Sequence, residues 1–181
     1  MNWYNINTTP HKISEVLAGE KPDIIGFSIL HANRWGGIEI GRIAKQIDPR
    51  VTIVFGGIGA TFLWNHLLTH FSEIDYVVIG EGEYTFLKLI KCLESDRSQA
   101  IETIKGIAFR QGGQAMRNRE AEAIGCLDDL PVPAKYFSYQ HLSLTRGCAG
   151  KCNFCGSPRF WGNNVRFHSV DYFVDQIERL Y

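Results

Sequence analysis

KPDIIGFSIL, residues 21–30, is a nearly continuous apolar run, the pattern of a parallel strand buried on both faces. The runs VTIVFGG, 51–57, and DYVVIG, 75–80, repeat this pattern. Apolar residues recur at helical spacing before, between and after these strands, at 9–18, 40–47, 60–71 and 86–93. Strands that alternate with helices at this pitch predict an α/β fold with a doubly wound parallel sheet. We expect its ligand site at the carboxyl ends of the strands.

Composition excludes several classes of protein. The chain has 181 residues, 45% of them hydrophobic and 21% charged, with a formal net charge of zero. No basic stripe suggests a nucleic-acid partner. No apolar run reaches the roughly 18 residues of a membrane span, and the first residues do not resemble a secretory signal. These features predict a cytoplasmic protein.

The pattern changes after residue 104. Residues 104–118 predict a hairpin with Gly112 and Gly113 at the turn. LDDLPVPAKY is poor in periodicity and is interpreted as part of a linker, after which 141–147 forms a new strand and Ser169 caps a last helix. The predicted domains are therefore 1–126, a linker at 127–140, and 141–181 as the start of a second domain.

Three of the five cysteines, Cys148, Cys152 and Cys155, lie within eight residues in LTRGCAGKCNFCG. Clustered cysteines in a chain without an export signal favour a metal or redox site over disulfides. A structural zinc site usually has a fourth cysteine or histidine ligand, and no histidine here has that spacing. Simple burial is the other interpretation, and it is the one we favour for the isolated Cys92 and Cys126.

The spacing C-x3-C-x2-C, with Phe154 before the last cysteine, resembles the signature of radical S-adenosylmethionine (SAM) enzymes. The resemblance implies that Cys148, Cys152 and Cys155 bind a 4Fe-4S cluster and that Phe154 packs near it. In that family, SAM binds the open iron. Electron transfer from an external donor then cleaves SAM to a 5′-deoxyadenosyl radical, which abstracts hydrogen from a substrate.

PDIIGFSIL, VTIVFGGIGAT and VVIGEGEYT, in this order, resemble the cobalamin-binding domain that precedes many radical SAM domains. GIAFR, LDDLPVP and LTRGC continue the resemblance, which covers about residues 20–181. It implies a Rossmann-like cobalamin-binding domain followed by the first β/α unit of a radical SAM partial TIM barrel. It also implies a corrinoid at the strand ends, with these contacts: Ser28, Leu30, Gly56, Gly57, Gly59, Gly80, Glu81 and Gly82.

The family includes radical SAM C-methyltransferases and the anaerobic magnesium-protoporphyrin IX monomethyl ester oxidative cyclase. The resemblance therefore implies radical methyl transfer or oxidative cyclisation of a small molecule; candidate substrates are tetrapyrroles, lipids and natural-product precursors. We expect this chain to be an N-terminal fragment that is inactive by itself, because it holds only one barrel unit. No catalytic residue is assigned.

The chain departs from the family pattern at two points. It lacks the D-x-H-x-x-G motif whose histidine binds cobalt, and His31 is interpreted as a polar loop residue. The strand and helix that usually begin the domain are not found before NWYNIN, residues 2–7. Two alternatives stay open: a non-catalytic corrinoid-binding or interaction module, and a methylthiotransferase relative, although Cys92 and Cys126 do not supply that family's second cluster.

Overall fold

The computed structural model describes residues 9–95, 98–138 and 142–181. The chain divides into two compact units, Met1–Ala121 and Glu122–Tyr181, here called unit 1 and unit 2. The predicted domain boundaries at 126 and 140 stay a prediction. Within the described residues, no helix is long and apolar enough to cross a membrane.

Unit 1 alternates helices and strands, as the sequence predicts, and ends in a hairpin. A 3-10 helix, Ser98–Thr103, precedes the hairpin. The other elements are, in chain order, α1 (Thr9–Glu20), β1 (Ile24–Ser28), α2 (Arg34–Ile47), β2 (Thr52–Gly56), α3 (Gly57–His70), β3 (Tyr76–Val78), α4 (Glu83–Glu94), β4 (Ile107–Gln111) and β5 (Gln114–Arg117).

The five strands form one sheet in the order β1-β2-β3-β4-β5. β1, β2 and β3 run parallel, which confirms the α/β prediction. β4 and β5 join antiparallel, so the sheet as a whole is mixed. The hairpin turns at Gly112 and Gly113, both with positive φ, as the glycine pair predicts.

The sheet is covered on both faces, because alternate residues of each strand point to opposite sides. In β2, Ile53 and Phe55 belong to a core with residues of α2 and α3, and both are fully buried. Val54, between them, belongs to a second core with Leu89 of α4 and the 3-10 helix. This arrangement explains why the strand sequences are apolar at nearly every position.

Arg110 on β4 ties the hairpin to the turn between α3 and β3. Its guanidinium donates hydrogen bonds to four backbone carbonyls, two at 2.9 Å, and the acceptors are Leu68, Phe71, Ser72 and Ile74. These carbonyls lie at the end of α3 and beyond it, where no helical donor remains for them. One charged side chain on β4 therefore provides hydrogen-bond donors for carbonyls at the C-terminal end of α3 and in the turn that follows it.

Replacing Arg110 by alanine removes these donors: the Phe71 carbonyl keeps the hydrogen bond from the Ile74 amide, and the other three carbonyls lose the arginine as a partner. We expect Arg110→Ala to lower the free energy of unfolding of unit 1 by about 3 kcal/mol, measured by urea denaturation. The exposed Arg119 provides a matched control, and Arg119→Ala should change the free energy of unfolding by less than about 0.5 kcal/mol. Equal effects of the two changes would contradict the structural role of Arg110.

Unit 2 is built from short elements. β6 (Thr145–Arg146) pairs antiparallel with β7 (Arg166–Phe167), and α5 (Ser157–Trp161) lies between them in sequence. α6 (Val170–Leu180) follows, and Ser169 caps it as predicted, accepting a hydrogen bond from the Tyr172 amide at 3.2 Å. Two 3-10 turns, Leu127–Asp129 and Pro133–Lys135, precede β6.

Unit 2 departs from the sequence-based expectation in three ways. The strand predicted at 141–147 is only two residues long among its described positions, and residues 139–141 lie outside the described part of the chain. Leu127 and Leu130, in the segment interpreted as a linker, form a small core with Ile124, which precedes that segment. In α6, Gln176 is buried, whereas Ile177, which the helical pattern predicts to be buried, is 37% exposed.

Candidate cofactor sites

The carboxyl ends of β1 and β2 meet, as the parallel sheet predicts. Ser28 and Gly56 are register partners, and the Ile29 amide donates to the Gly56 carbonyl at 2.8 Å. The Gly59 amide in turn donates to the Ile29 carbonyl at 2.8 Å. Backbone hydrogen bonds thus bring together the two segments, 28–30 and 56–59, that hold the predicted corrinoid contacts.

Gly57 and Gly59 are required by the chain's own backbone. A Cβ on Gly59 would lie 2.8 Å from the Ile29 carbonyl oxygen and 2.9 Å from the Leu30 carbonyl carbon. Gly57 has a φ of +85°, and a Cβ there would lie 3.2 Å from the Ile29 nitrogen. The close approach that the glycines permit is therefore with the β1–α2 loop, and their contact with a cofactor stays a prediction.

The segment between β3 and α4, residues 79–82, is here called the third loop and contains the predicted contacts Gly80, Glu81 and Gly82. Gly80 has a φ of +76°, open space lies where its Cβ would be, and its amide donates to the Thr61 hydroxyl at 3.0 Å. Glu81 is buried, at 8% exposure, and Gly82 lies against Val78. Of the predicted glycines at the strand ends, Gly80 therefore offers the open backbone surface, and Glu81 points away from solvent.

Exposed apolar side chains follow all three parallel strands. Leu30 after β1 is 56% exposed, Phe62 in the second turn of α3 is 47% exposed, and Tyr84 in the first turn of α4 is 43% exposed. Exposed apolar surface together with open backbone at Gly80 suits a flat, largely apolar ligand. The residues present at this end of the sheet therefore fit a corrinoid. The cobalt-binding D-x-H-x-x-G motif does not occur in the sequence.

The opposite end of the sheet contains a cavity of about 930 Å³. Residues from α1, β1 and the amino end of β2 line it, among them Leu17, Ile24 and Thr52. None of the predicted site residues is part of its lining. The predicted corrinoid surface is thus an open face, away from this cavity.

Gly59 and Gly36 provide a matched test, because each is the third residue of its helix. Gly36→Ala places a methyl group in open space and should stabilise the chain by roughly 0.5–1 kcal/mol. Gly59→Ala drives a methyl group into the backbone of Ile29 and Leu30 and should destabilise it by roughly 2 kcal/mol. Thermal unfolding followed by circular dichroism measures both; destabilisation by Gly36→Ala, or tolerance of Gly59→Ala, would contradict this packing.

The cysteine loop begins directly after β6. Gly147 has a φ of +108°, and a Cβ there would collide with the Asn164 carbonyl oxygen, so the two backbones touch. The Cys148 amide donates to the Gly162 carbonyl at 3.4 Å, and the Gly150 amide donates to Cys148 Sγ at 3.4 Å. The first cysteine is thus held by the segment that leads into β7.

The three predicted cluster ligands are free thiols on one loop. Cys148 and Cys155 are half-buried, Cys152 is exposed, and a Cβ on Gly150 would contact both Cys148 Sγ, at 3.3 Å, and Cys152 Sγ, at 3.8 Å. Among the described residues, no three side chains lie close enough to hold a single metal ion. A cluster differs, because each thiolate binds a separate iron, and this soft donor set fits an iron–sulfur cluster.

Phe154 is 94% exposed and contacts no core of unit 2. Its predicted packing against the cluster or SAM stays a prediction.

Sequence reasoning missed Asn33, which organises the loop after β1. Its side-chain oxygen accepts from the Leu30 amide at 2.7 Å, and its side-chain nitrogen donates to the Ser28 carbonyl at 3.1 Å. Asn33 therefore holds the backbone of Ser28 and Leu30, two of the predicted corrinoid contacts. An asparagine between a buried strand and a helix is a turn signal that indicates such bonds.

Asp128, also missed, ties the 127–129 turn to the start of α6. Hydrogen bonds from Ser169, and a contact at 3.0 Å with His168 Nδ1, hold the pKa of the Asp128 carboxyl below its ordinary value. The carboxylate also lies at a helix N-terminus, which favours negative charge. The ring of His168 stacks on Tyr172, whose hydroxyl donates to the Pro131 carbonyl at 3.0 Å.

Residues 2–90, about half of the chain, match the B12 binding domain family. The anaerobic magnesium-protoporphyrin IX monomethyl ester cyclase of Cereibacter sphaeroides is 29% identical over 93% of this chain. The cytidylyl-2-hydroxyethylphosphonate methyltransferase of Streptomyces wedmorensis is 28% identical, also over 93%. The chain spans only 30% and 39% of the length of these two relatives.

The fold is also that of a solved radical SAM protein. The radical S-adenosylmethionine methyltransferase TsrM from Kitasatospora setae, solved with cobalamin and a 4Fe-4S cluster, superposes with a TM-score of 0.71 over 94% of this chain and 37% of TsrM, at 19% identity. That likeness confirms the α/β fold. The B12 binding domain match and the relatives named above confirm the predicted recognition: this chain belongs to the radical SAM family whose members carry a cobalamin-binding domain.

Proposed function

We propose that this chain is the N-terminal part of a cobalamin-dependent radical SAM enzyme that performs radical methyl transfer or oxidative cyclisation on a small molecule. The observation that carries the proposal is the order of two fitting sites in one chain. An open glycine loop at the strand ends of unit 1 is followed by three free thiols on one loop of unit 2. Both similar relatives named above are enzymes of these two reaction classes.

Unit 1 supplies a platform for the corrinoid. Leu30 provides exposed apolar surface, and Asn33 fixes the backbone of Ser28 and Leu30 beneath it. Gly80 leaves the third loop open, and the hydrogen bond to Thr61 holds that loop in place. The ligand's flat face would thus replace water over apolar side chains, which is favourable in proportion to the area covered.

Unit 2 supplies the thiols. Cys148, Cys152 and Cys155 would hold a 4Fe-4S cluster, and such a cluster supplies the electron that cleaves SAM when both are bound. The loop keeps Cys148 half-buried and hydrogen-bonded through its sulfur, while Cys152 faces solvent. Phe154, which is exposed on the same loop, would then pack against the bound cofactor.

Anaerobic reconstitution with iron and sulfide tests the thiol site. We expect about four irons per chain and visible charge-transfer absorbance for the native sequence. Cys148→Ala removes one of only three ligands and should abolish most of this absorbance. Cys126→Ala is the control, since Cys126 is also a free thiol but lies outside the loop. Failure of the native chain to incorporate iron would overturn the cluster proposal and leave a corrinoid-binding module.

Titration with hydroxocobalamin, followed by its visible spectrum, tests the platform. Leu30→Glu places a charge on the proposed contact surface and should raise the dissociation constant roughly tenfold. Val16→Glu on α1 is the control, because Val16 is 55% exposed and Leu30 is 56% exposed. A native chain that leaves the spectrum unchanged, or equal effects of the two substitutions, would contradict corrinoid binding at the strand ends.

A further inference from the structure

The backbone at Trp161 and Gly162 forms the wall against which the cysteine loop rests. The Gly162 carbonyl accepts the hydrogen bond from the Cys148 amide, and the following residues press on Gly147. Gly162 has a φ of +82° at the end of α5, so the helix stops there and the chain turns. A displacement of this wall therefore displaces the backbone of Cys148.

Arg166 binds this wall through the backbone carbonyl of Trp161. One guanidinium nitrogen, Nη2, donates to the Trp161 carbonyl at 3.2 Å, and Nη1 donates to the Ile124 carbonyl at 2.6 Å. Ile124 is itself buried in the small core of unit 2, at 6% exposure. The side chain therefore bridges a fixed point of the core and the peptide next to the one that binds Cys148.

Arg146, on β6, contacts the Trp161 side chain of the same wall. Arg146 and Arg166 are register partners in the β6–β7 pair, and the Arg146 guanidinium lies 5.2 Å from the centre of the Trp161 ring. A cation over an aromatic face is attracted to it. The side chain and the carbonyl of Trp161 are thus held by two different arginines, one of which stands two residues before Cys148.

We propose that Arg166 is a positioning residue for the cluster site: by bridging the Ile124 and Trp161 carbonyls, it fixes the wall that sets the place of Cys148. The inference rests on the proposed function, because it gives the Cys148 sulfur its role as a cluster ligand. Lysine can replace arginine only in part here, since a single ammonium lacks the planar fork that reaches both carbonyls.

The metal-free protein tests this positioning directly. The reduced native chain and its variants are treated with limiting iodoacetamide, and alkylation of each cysteine is followed by peptide mass spectrometry. Arg166→Gln should raise the alkylation rate of Cys148 roughly tenfold, because loss of the bridge increases local opening. Arg166→Lys should give an intermediate rate. Arg159→Gln, an exposed arginine on α5, serves as the control and should change nothing.

Cys155 in the same spectra separates positioning from general loss of structure. It is also half-buried, and its amide donates to the Cys152 carbonyl at 3.2 Å rather than to the wall. A selective rise at Cys148 supports the proposal. Equal rises at Cys148 and Cys155 show that Arg166 only stabilises unit 2, and an unchanged Cys148 shows that it does not hold the wall; either result overturns the proposal.

Iron-loaded samples give a second readout. Arg166→Gln should incorporate less iron than the native chain, and the electron paramagnetic resonance spectrum of its reduced cluster should differ in shape, while Arg159→Gln should match the native spectrum. A native chain that binds no iron would overturn the proposed function, yet the alkylation pattern would still report on Arg166. An Arg166→Gln cluster identical to the native one in content and spectrum would overturn the positioning role.

Discussion

The hydrogen-bonded backbone contact between the β1–α2 loop and the start of α3 is the constraint on which unit 1 depends. Ile29 is bonded on its amide side to Gly56 and on its carbonyl side to Gly59, and no Cβ fits at residue 59. This contact fixes the angle at which α3 leaves the sheet, so it sets the surface that Leu30 and Phe62 present. The strand-end surface is therefore a consequence of backbone packing that the protein needs even without a ligand.

The fold of unit 1 could be predicted because its signals are long and periodic. Buried parallel strands have apolar residues on both faces, and the helices between them repeat at helical spacing. Unit 2 offered fewer such signals. β7 has two residues, α5 has five, and no periodicity can emerge over such lengths. The exposure of Ile177 likewise depends on what packs against α6, which its own sequence does not encode.

The candidate sites were predicted to different depths. Three thiols within eight residues, Cys148, Cys152 and Cys155, already indicate a metal or redox site without further structural information. The glycines at the strand ends carry none, and the structure places Gly57 and Gly59 against the chain's own backbone. Asn33 had a local turn signal, but its backbone partners follow only from the structure. Arg166 could not be assigned beforehand, because its partners are backbone carbonyls, and carbonyls have no sequence signature.

Gly147 illustrates what a short motif encodes. Its backbone touches that of Asn164, at a separation that excludes any side chain. The glycine of the R-G-C triplet is thus a requirement of folding, imposed by the return of the chain from α5 to β7, and it carries no chemistry of its own. A related chain that had lost its thiols would still need glycine here. The glycine in this triplet reflects the geometry of the loop, and only the cysteines predict a metal site.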